Sequence, residues 1–399
     1  MKKIYLIIGA SAAGIAAAKK IRSLDKESEI ICCTYEVENP YNKCLLVDWI
    51  AQEKTEEQVY LNSEDFFKEQ RIEIKRAVRV TDINKEARFV VTDDGKTYHY
   101  TKLLLATGAS PVHLKCEGSD AQGIVSFYTL NDAHSIKKMV QQDCVQNIII
   151  IGGGISGIEC ADALATYGKK ITILERGSSI LGRHVPVECA MYIQEKASHF
   201  GVEVQCNTSV ISITKKSDGS VASVECSNGV SFPADLVITA LGSRAHIELA
   251  IGSDLVHEQG ALVTNSYLQT SEPTIFAAGD CMRVTNFITD TKIRSALWPD
   301  AVLQGTIAGT NMVQLMREYQ GLFPLTTSAF FGYQFVSCGS ELVDQVMDFG
   351  YQVEIIKNDN LYSAIIFDDA RVVKGFVLFG LHTEYSGLKR SLITKTPFQ

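Results

Sequence analysis

Two short glycine patterns are the residues best suited to do chemistry in this chain. They read Gly9-x-Ser11-x-x-Gly14, with Ala12 beside the serine, and Gly152-x-Gly154-x-x-Gly157. In each, the first glycine allows a tight turn from strand to helix. The small middle residue lets the backbone approach a pyrophosphate, and the third glycine lets helix and strand pack closely. The helix start then presents unpaired N–H groups and its positive dipole end to the phosphates. A carboxylate follows each pattern at a strand end, Glu36 and Glu175, where it can accept ribose hydroxyls. At the second site such a carboxylate repels a 2′-phosphate, which favours NADH over NADPH, although Arg176 next to it could reach one. A third feature is Cys44 in "NPYNKCLL". Its thiol stands at a helix start beside Lys43, which favours the thiolate. The same position also suits a small filler residue.

The elements that must hold these groups repeat. "KKIYLIIGASAAGIAAAKKI" (2–21) and "VQNIIIIGGGISGIECADALATYG" (145–168) each give an apolar strand, a glycine turn and an Ala-rich helix. Each copy continues through a second strand and a meander of alternating strands. Each closes on an apolar strand running into a glycine turn, "TKLLLATGASP" and "ADLVITALGSR". This repeat predicts an α/β fold of two doubly wound, Rossmann-like dinucleotide-binding domains, one inserted in the other. The first spans 1–112 and 241–325, completed by "ALVTNSYLQTSEPTIFAAGD" and a helix over 299–319, and the second spans 113–240. A small α+β domain of aromatic-rich strands follows over 326–399.

Bulk properties narrow the partners. The 399 residues carry a net charge of −8, which argues against nucleic acid and anionic membranes. No apolar segment approaches the roughly 20 residues that span a bilayer. Eleven cysteines with no CxxC or CxxxxC pair suit a reducing cytoplasm. The eight histidines are dispersed without ligand spacing, so no metal is expected.

The ordered set "GASAAG", "LLLATGASP", "IIGGGISGIE", "LVITALGSR" and "TSEPTIFAAGD" resembles the FAD- and pyridine-nucleotide-dependent oxidoreductases of the disulfide-reductase superfamily. The likeness runs from about Lys3 to Gly339. It implies FAD at the first glycine pattern and NAD(P)H at the second. It also implies Thr107 and Gly108 along the FAD, and Asp280 on the ribitol. Glu159 would project toward the nicotinamide and flavin rings.

Within that superfamily the acceptor divides the branches, and one cysteine near residue 44 excludes the CxxxxC disulfide reductases. The single-cysteine enzymes (NADH peroxidase, water-forming NADH oxidase, coenzyme A-disulfide reductase) carry S-F-x-x-C-G. Cys44 aligns with that cysteine, but Pro40 and Leu45 replace the serine and glycine. Reductases of one-electron carriers, such as NADH:rubredoxin reductase and the flavin domain of assimilatory nitrite reductase, carry P-Y-x-R-x-x-L. Pro40, Tyr41 and Leu46 match it, with Lys43 for arginine, and "ALWPDAVLQG" matches a W-P-x-A-x-x-Q-G run that places Trp298 at the flavin. The resemblance therefore implies a small redox protein such as rubredoxin as acceptor, with Lys43 on the FAD. A small-molecule acceptor served by Cys44 is the alternative, and a non-catalytic NADH-responsive sensor is a further one. A homodimer is compatible with each.

Overall fold

Apolar runs without alternation, such as Ile4–Ile8 (IYLII) and Asn147–Ile151 (NIIII), become strands buried on both faces, as a parallel sheet requires. The computed structural model describes residues 2–182, 184–339 and 350–398. It divides the chain into two compact units, Met1–Leu46, Lys54–Ser110 and Ser243–Phe323 in one, and Val47–Glu53, Pro111–Gly242 and Pro324–Gln399 in the other.

The first unit is built on five parallel strands in the order Ile275–Ala277, Lys102–Leu105, Ile4–Ile8, Glu29–Cys33, Ile72–Lys75. The second repeats the plan as Ile124–Ser126, Leu236–Thr239, Asn147–Ile151, Lys170–Leu174, Val202–Gln205, again all parallel. In both, the strand leading into the glycine turn is central, so the turn opens at the carboxyl ends of the strands, where doubly wound sheets bind ligands. The outermost strand differs in origin. In the first unit it comes from late in the chain, whereas in the second it precedes the glycine turn. That difference is the signature of the insertion. Each unit also carries a three-stranded antiparallel meander, Val80–His99 and Val210–Pro233.

The C-terminal segment forms a five-stranded antiparallel sheet, in the order Leu325–Phe330, Tyr333–Cys338, Val373–Gly380, Leu361–Phe367, Gln352–Asn358. The helix Tyr385–Thr394 packs on it. The sheet clusters with the second unit because strand Leu325–Phe330 packs on helix Ile155–Ala165. In addition, Tyr192 donates to the Asn358 carbonyl at 2.9 Å and Ser337 to that of His184 at 2.7 Å.

The helix expected over 299–319 spans Trp298–Val313. It stops early because Asn311 captures the chain that follows. Its side-chain oxygen accepts the N–H of Met316 and Arg317, and its Nδ2 donates to the Arg317 carbonyl at 2.7 Å. The helix expected from Cys44 is a 3-10 turn, Lys43–Leu45, leading into a short α-helix, Leu46–Ile50.

Candidate functional site

The first cradle is held by backbone contact alone. Gly9 has φ +109°, and a Cβ there would lie 2.0 Å from the Ala106 carbonyl oxygen. A Cβ on Gly14 would lie 1.9 Å from that of Gly9. The Gly9 N–H is fixed to the Cys33 carbonyl at 2.8 Å. Ser11 caps helix Ala12–Leu24 without any side-chain bond, and the first helical turn holds no acidic residue. No side chain therefore competes for the first-turn N–H groups, and the positive dipole end is left uncompensated, as a phosphate site requires.

Segment 40–42 is pinned to residues 59–61. The Asn42 N–H donates to the Val59 carbonyl, the Leu61 N–H to that of Pro40, and Tyr41 is buried. The Asn42 side chain accepts the Cys44 N–H at 3.0 Å, which sets the following 3-10 turn. Lys43 and Glu36, singled out for different ends of a dinucleotide, meet as an ion pair at 3.5 Å. Cys44 is exposed.

Thr107 and Gly108 are tied to the returning chain. The Thr107 hydroxyl donates to the His246 carbonyl at 2.8 Å, and the His246 N–H to that of Gly108 at 3.0 Å. Asp280 follows the left-handed Gly279, φ +83°. Burial pushes its carboxyl above the ordinary range, while Arg294 and Lys43 pull it back. Arg294 did not emerge from the sequence. Its Nη2 donates to the Ser243 carbonyl at 2.7 Å, and its buried Nη1 has no partner among the described residues. An orphaned guanidinium nitrogen in the unit that carries the first glycine turn, close enough to act on Asp280, fits an anionic cofactor such as FAD. Half-buried Trp298 opens the helix that packs on this one.

The second cradle has the same construction. Gly152 has φ +113°, and an added Cβ on Gly157 would lie 2.0 Å from the Gly152 carbonyl oxygen. Gly154 is exposed, has open space around it, and caps helix Ile155–Ala165 with no side-chain bond. The Glu175 carboxylate accepts two loop N–H groups, Gly153 at 2.7 Å and Gly177 at 2.6 Å. It is therefore fixed against the glycine turn, as a ribose acceptor must be, and the site fits a pyridine dinucleotide. Glu159 lies one turn into the helix. Burial raises its pKa, and Ser328 Oγ, donating to Oε1 at 2.5 Å, opposes that shift. Ser328 was also missed, since no local signal links strand Leu325–Phe330 to residue 159. Among the described residues, no three His, Cys, Asp or Glu side chains form a metal-binding group, and no helix is long and apolar enough to cross a membrane.

Comparison with known proteins adds a family to this geometry. The family described as pyridine nucleotide-disulphide oxidoreductase matches residues 3–305. The NADH oxidase of Methanocaldococcus jannaschii is 30% identical over 330 residues, covering 81% of this chain and 72% of that protein. Rubredoxin-NAD(+) reductase of Pseudomonas putida is 29% identical over 308 residues, covering 77% and 79%. The solved putidaredoxin reductase–putidaredoxin complex shares the fold, with a TM-score of 0.87 at 24% identity over 99% of this chain and 93% of that one. Both cradles, Asp280 and Trp298 fall inside the family match, and the chain belongs to the pyridine nucleotide-disulphide oxidoreductases, as an NAD(P)H-dependent flavoprotein oxidoreductase.

Proposed function

We propose that the chain takes hydride from NADH and passes the electrons singly to a small carrier protein of the rubredoxin class. FAD in the first unit would supply the two-electron acceptor that can be discharged one electron at a time. The residues of that unit bind and orient it. The helix start after Gly9 and the Arg294 guanidinium meet the pyrophosphate, and Lys43 supplies a second cation. Asp280 accepts from the ribitol, Glu36 from the adenosine ribose, Thr107 and Gly108 line the cofactor, and Trp298 covers it. In the second unit the Gly152–Gly157 turn holds the NADH pyrophosphate. Glu175 accepts the ribose hydroxyls, and its charge disfavours the 2′-phosphate of NADPH. Glu159, half-buried and fixed by Ser328, serves as the polar group at the nicotinamide end.

The observation that carries the carrier reading is the use made of segment 40–46. Its lysine pairs with Glu36 and bears on Asp280. The similarity to a rubredoxin-NAD(+) reductase supports the same reading. A second reading, an NADH oxidase or disulfide reductase working through Cys44, draws on the exposure of that residue and on the similarity to an NADH oxidase.

Anaerobic reductive titration separates them. The carrier reading expects two electrons per FAD, and Cys44→Ser should leave both that uptake and NADH-driven reduction of rubredoxin intact. Four electrons per FAD, or a long-wavelength thiolate-to-flavin band lost in Cys44→Ser, would overturn it in favour of the thiol.

A further inference from the structure

Beneath the Gly279–Asp280 turn runs a buried polar chain to which the reading above gives no task. The Gly279 N–H donates to Gln304 Oε1 at 2.6 Å, and Gln304 Nε2 donates to Asp300 Oδ2 at 2.5 Å. The Tyr319 hydroxyl completes it, donating to Asp300 Oδ1 at 2.8 Å. Gln304 is fully buried, and Asp300 and Tyr319 nearly so.

The direction of the chain is fixed by chemistry. A backbone N–H only donates, so the Gln304 oxygen must face Gly279 and its amide nitrogen must face Asp300. Burial pushes the Asp300 carboxyl above its ordinary range, and the donors that face both of its oxygens, Tyr319 and Gln304, oppose that shift and favour the charged form. The position is also fixed. The helix carrying Asp300 and Gln304 approaches helix Ala12–Leu24 so closely that a Cβ on Gly305 would lie 2.1 Å from the Ala13 carbonyl oxygen. A Cβ on Gly279 would lie 3.3 Å from that of Ala13. The chain therefore runs beneath the first turn of the helix that opens the first cradle.

We propose that Asp300, oriented by Gln304 and Tyr319, is a positioning residue that fixes the Gly279–Asp280 turn and sets the reduction potential of the flavin bound beside it. This rests on the first unit holding FAD. A buried carboxylate with no cation in its hydrogen-bonded chain contributes little to stability that apolar packing could not match. It does project negative charge toward the cofactor seat, and Asp280 already feels it, since Asp300 is among the groups that raise the Asp280 pKa. Reduction of a bound flavin would add negative charge to its ring system, so a carboxylate held nearby in the same unit would disfavour it and hold the potential down.

The test is the midpoint potential of the FAD-loaded full chain, read by dye-equilibrated reduction for the wild type, Asp300→Asn and Tyr319→Phe. Asp300→Asn keeps the shape and removes the charge. It should move the oxidised-to-reduced ratio at fixed poise several-fold to about tenfold toward reduced, a positive shift of up to about 30 mV for a two-electron couple. Tyr319→Phe, which leaves the carboxylate one donor short and more readily protonated, should give a smaller shift of the same sign. This second variant decides the matter if Asp300→Asn does not fold. FAD-loaded variants with unchanged potentials would overturn the inference and leave FAD binding standing. A wild-type chain that takes up no FAD would overturn the cofactor reading itself, and the inference with it.

Discussion

Ser328 Oγ donates to Glu159 Oε1 at 2.5 Å, so a strand of the C-terminal sheet fixes the carboxyl on the helix of the second cradle. Burial raises the Glu159 pKa, and this bond favours the charged form. In Ser328→Ala the pKa should rise further, so an ionisation seen in the pH profile of flavin reduction by NADH should move to higher pH. The folded-state pKa lies above its unfolded value. The group's contribution to stability is therefore complete below the unfolded pKa and is lost as pH rises through the folded one. Ser328→Ala should accordingly be less stable at pH 8 by about 1.5–3 kcal/mol, the usual worth of a hydrogen bond to a charged group, with a smaller loss at pH 4. Denaturant unfolding at both pH values checks this, and equal losses would refute it.

The pair also marks what the sequence discloses and what it hides. The parallel strands are legible because burial on both faces leaves uninterrupted runs such as NIIII. The cradles are legible because only glycine fits where Gly9 and Gly14 touch backbone oxygens. Partners brought together from afar leave no local trace. Ser328 lies 169 residues from Glu159, and Arg294 lies 51 from Ser243. The stop after Val313 was hidden for a different reason. Asn311 reads as an ordinary helical residue until its side chain is seen holding residues 316 and 317.

Lys43 and Glu36, 3.5 Å apart and both mostly covered, tie segment 40–46 to the loop that follows strand Glu29–Cys33. Removing the ammonium in Lys43→Ala should weaken FAD binding about tenfold, roughly 1.4 kcal/mol. Lys43→Arg should keep most of the affinity, since it retains the charge. Flavin fluorescence during FAD titration of the stripped protein reads both, and equal affinities for wild type and Lys43→Ala would remove Lys43 from the site.

Glu175 is held in a fixed position by the N–H groups of Gly153 and Gly177, and the proposed function assigns it to the ribose of NADH. Glu175→Ala should raise KM for NADH about tenfold, in keeping with loss of a charged hydrogen bond to ribose. The penalty against NADPH should shrink, because the charge facing a 2′-phosphate is gone. Steady-state kinetics with both cofactors checks the pair of effects, and an unchanged NADPH-to-NADH ratio would show that another group sets the preference.

Arg294 opposes the upward shift that burial imposes on Asp280. Arg294→Gln removes that opposition, so the Asp280 pKa should rise further above its ordinary value. A raised carboxyl pKa gives a contribution to stability that is complete below the unfolded pKa and lost as pH climbs through the folded one. Each added unit costs about 1.4 kcal/mol at the high-pH end. The variant should therefore lose more stability between pH 5 and pH 8 than the wild type, as read from thermal unfolding followed by circular dichroism. The same substitution removes the guanidinium whose Nη1 has no partner among the described residues, so FAD affinity should fall with it. A variant with wild-type pH dependence and wild-type affinity would place Arg294 in the packing of the Lys292–Arg294 strand alone.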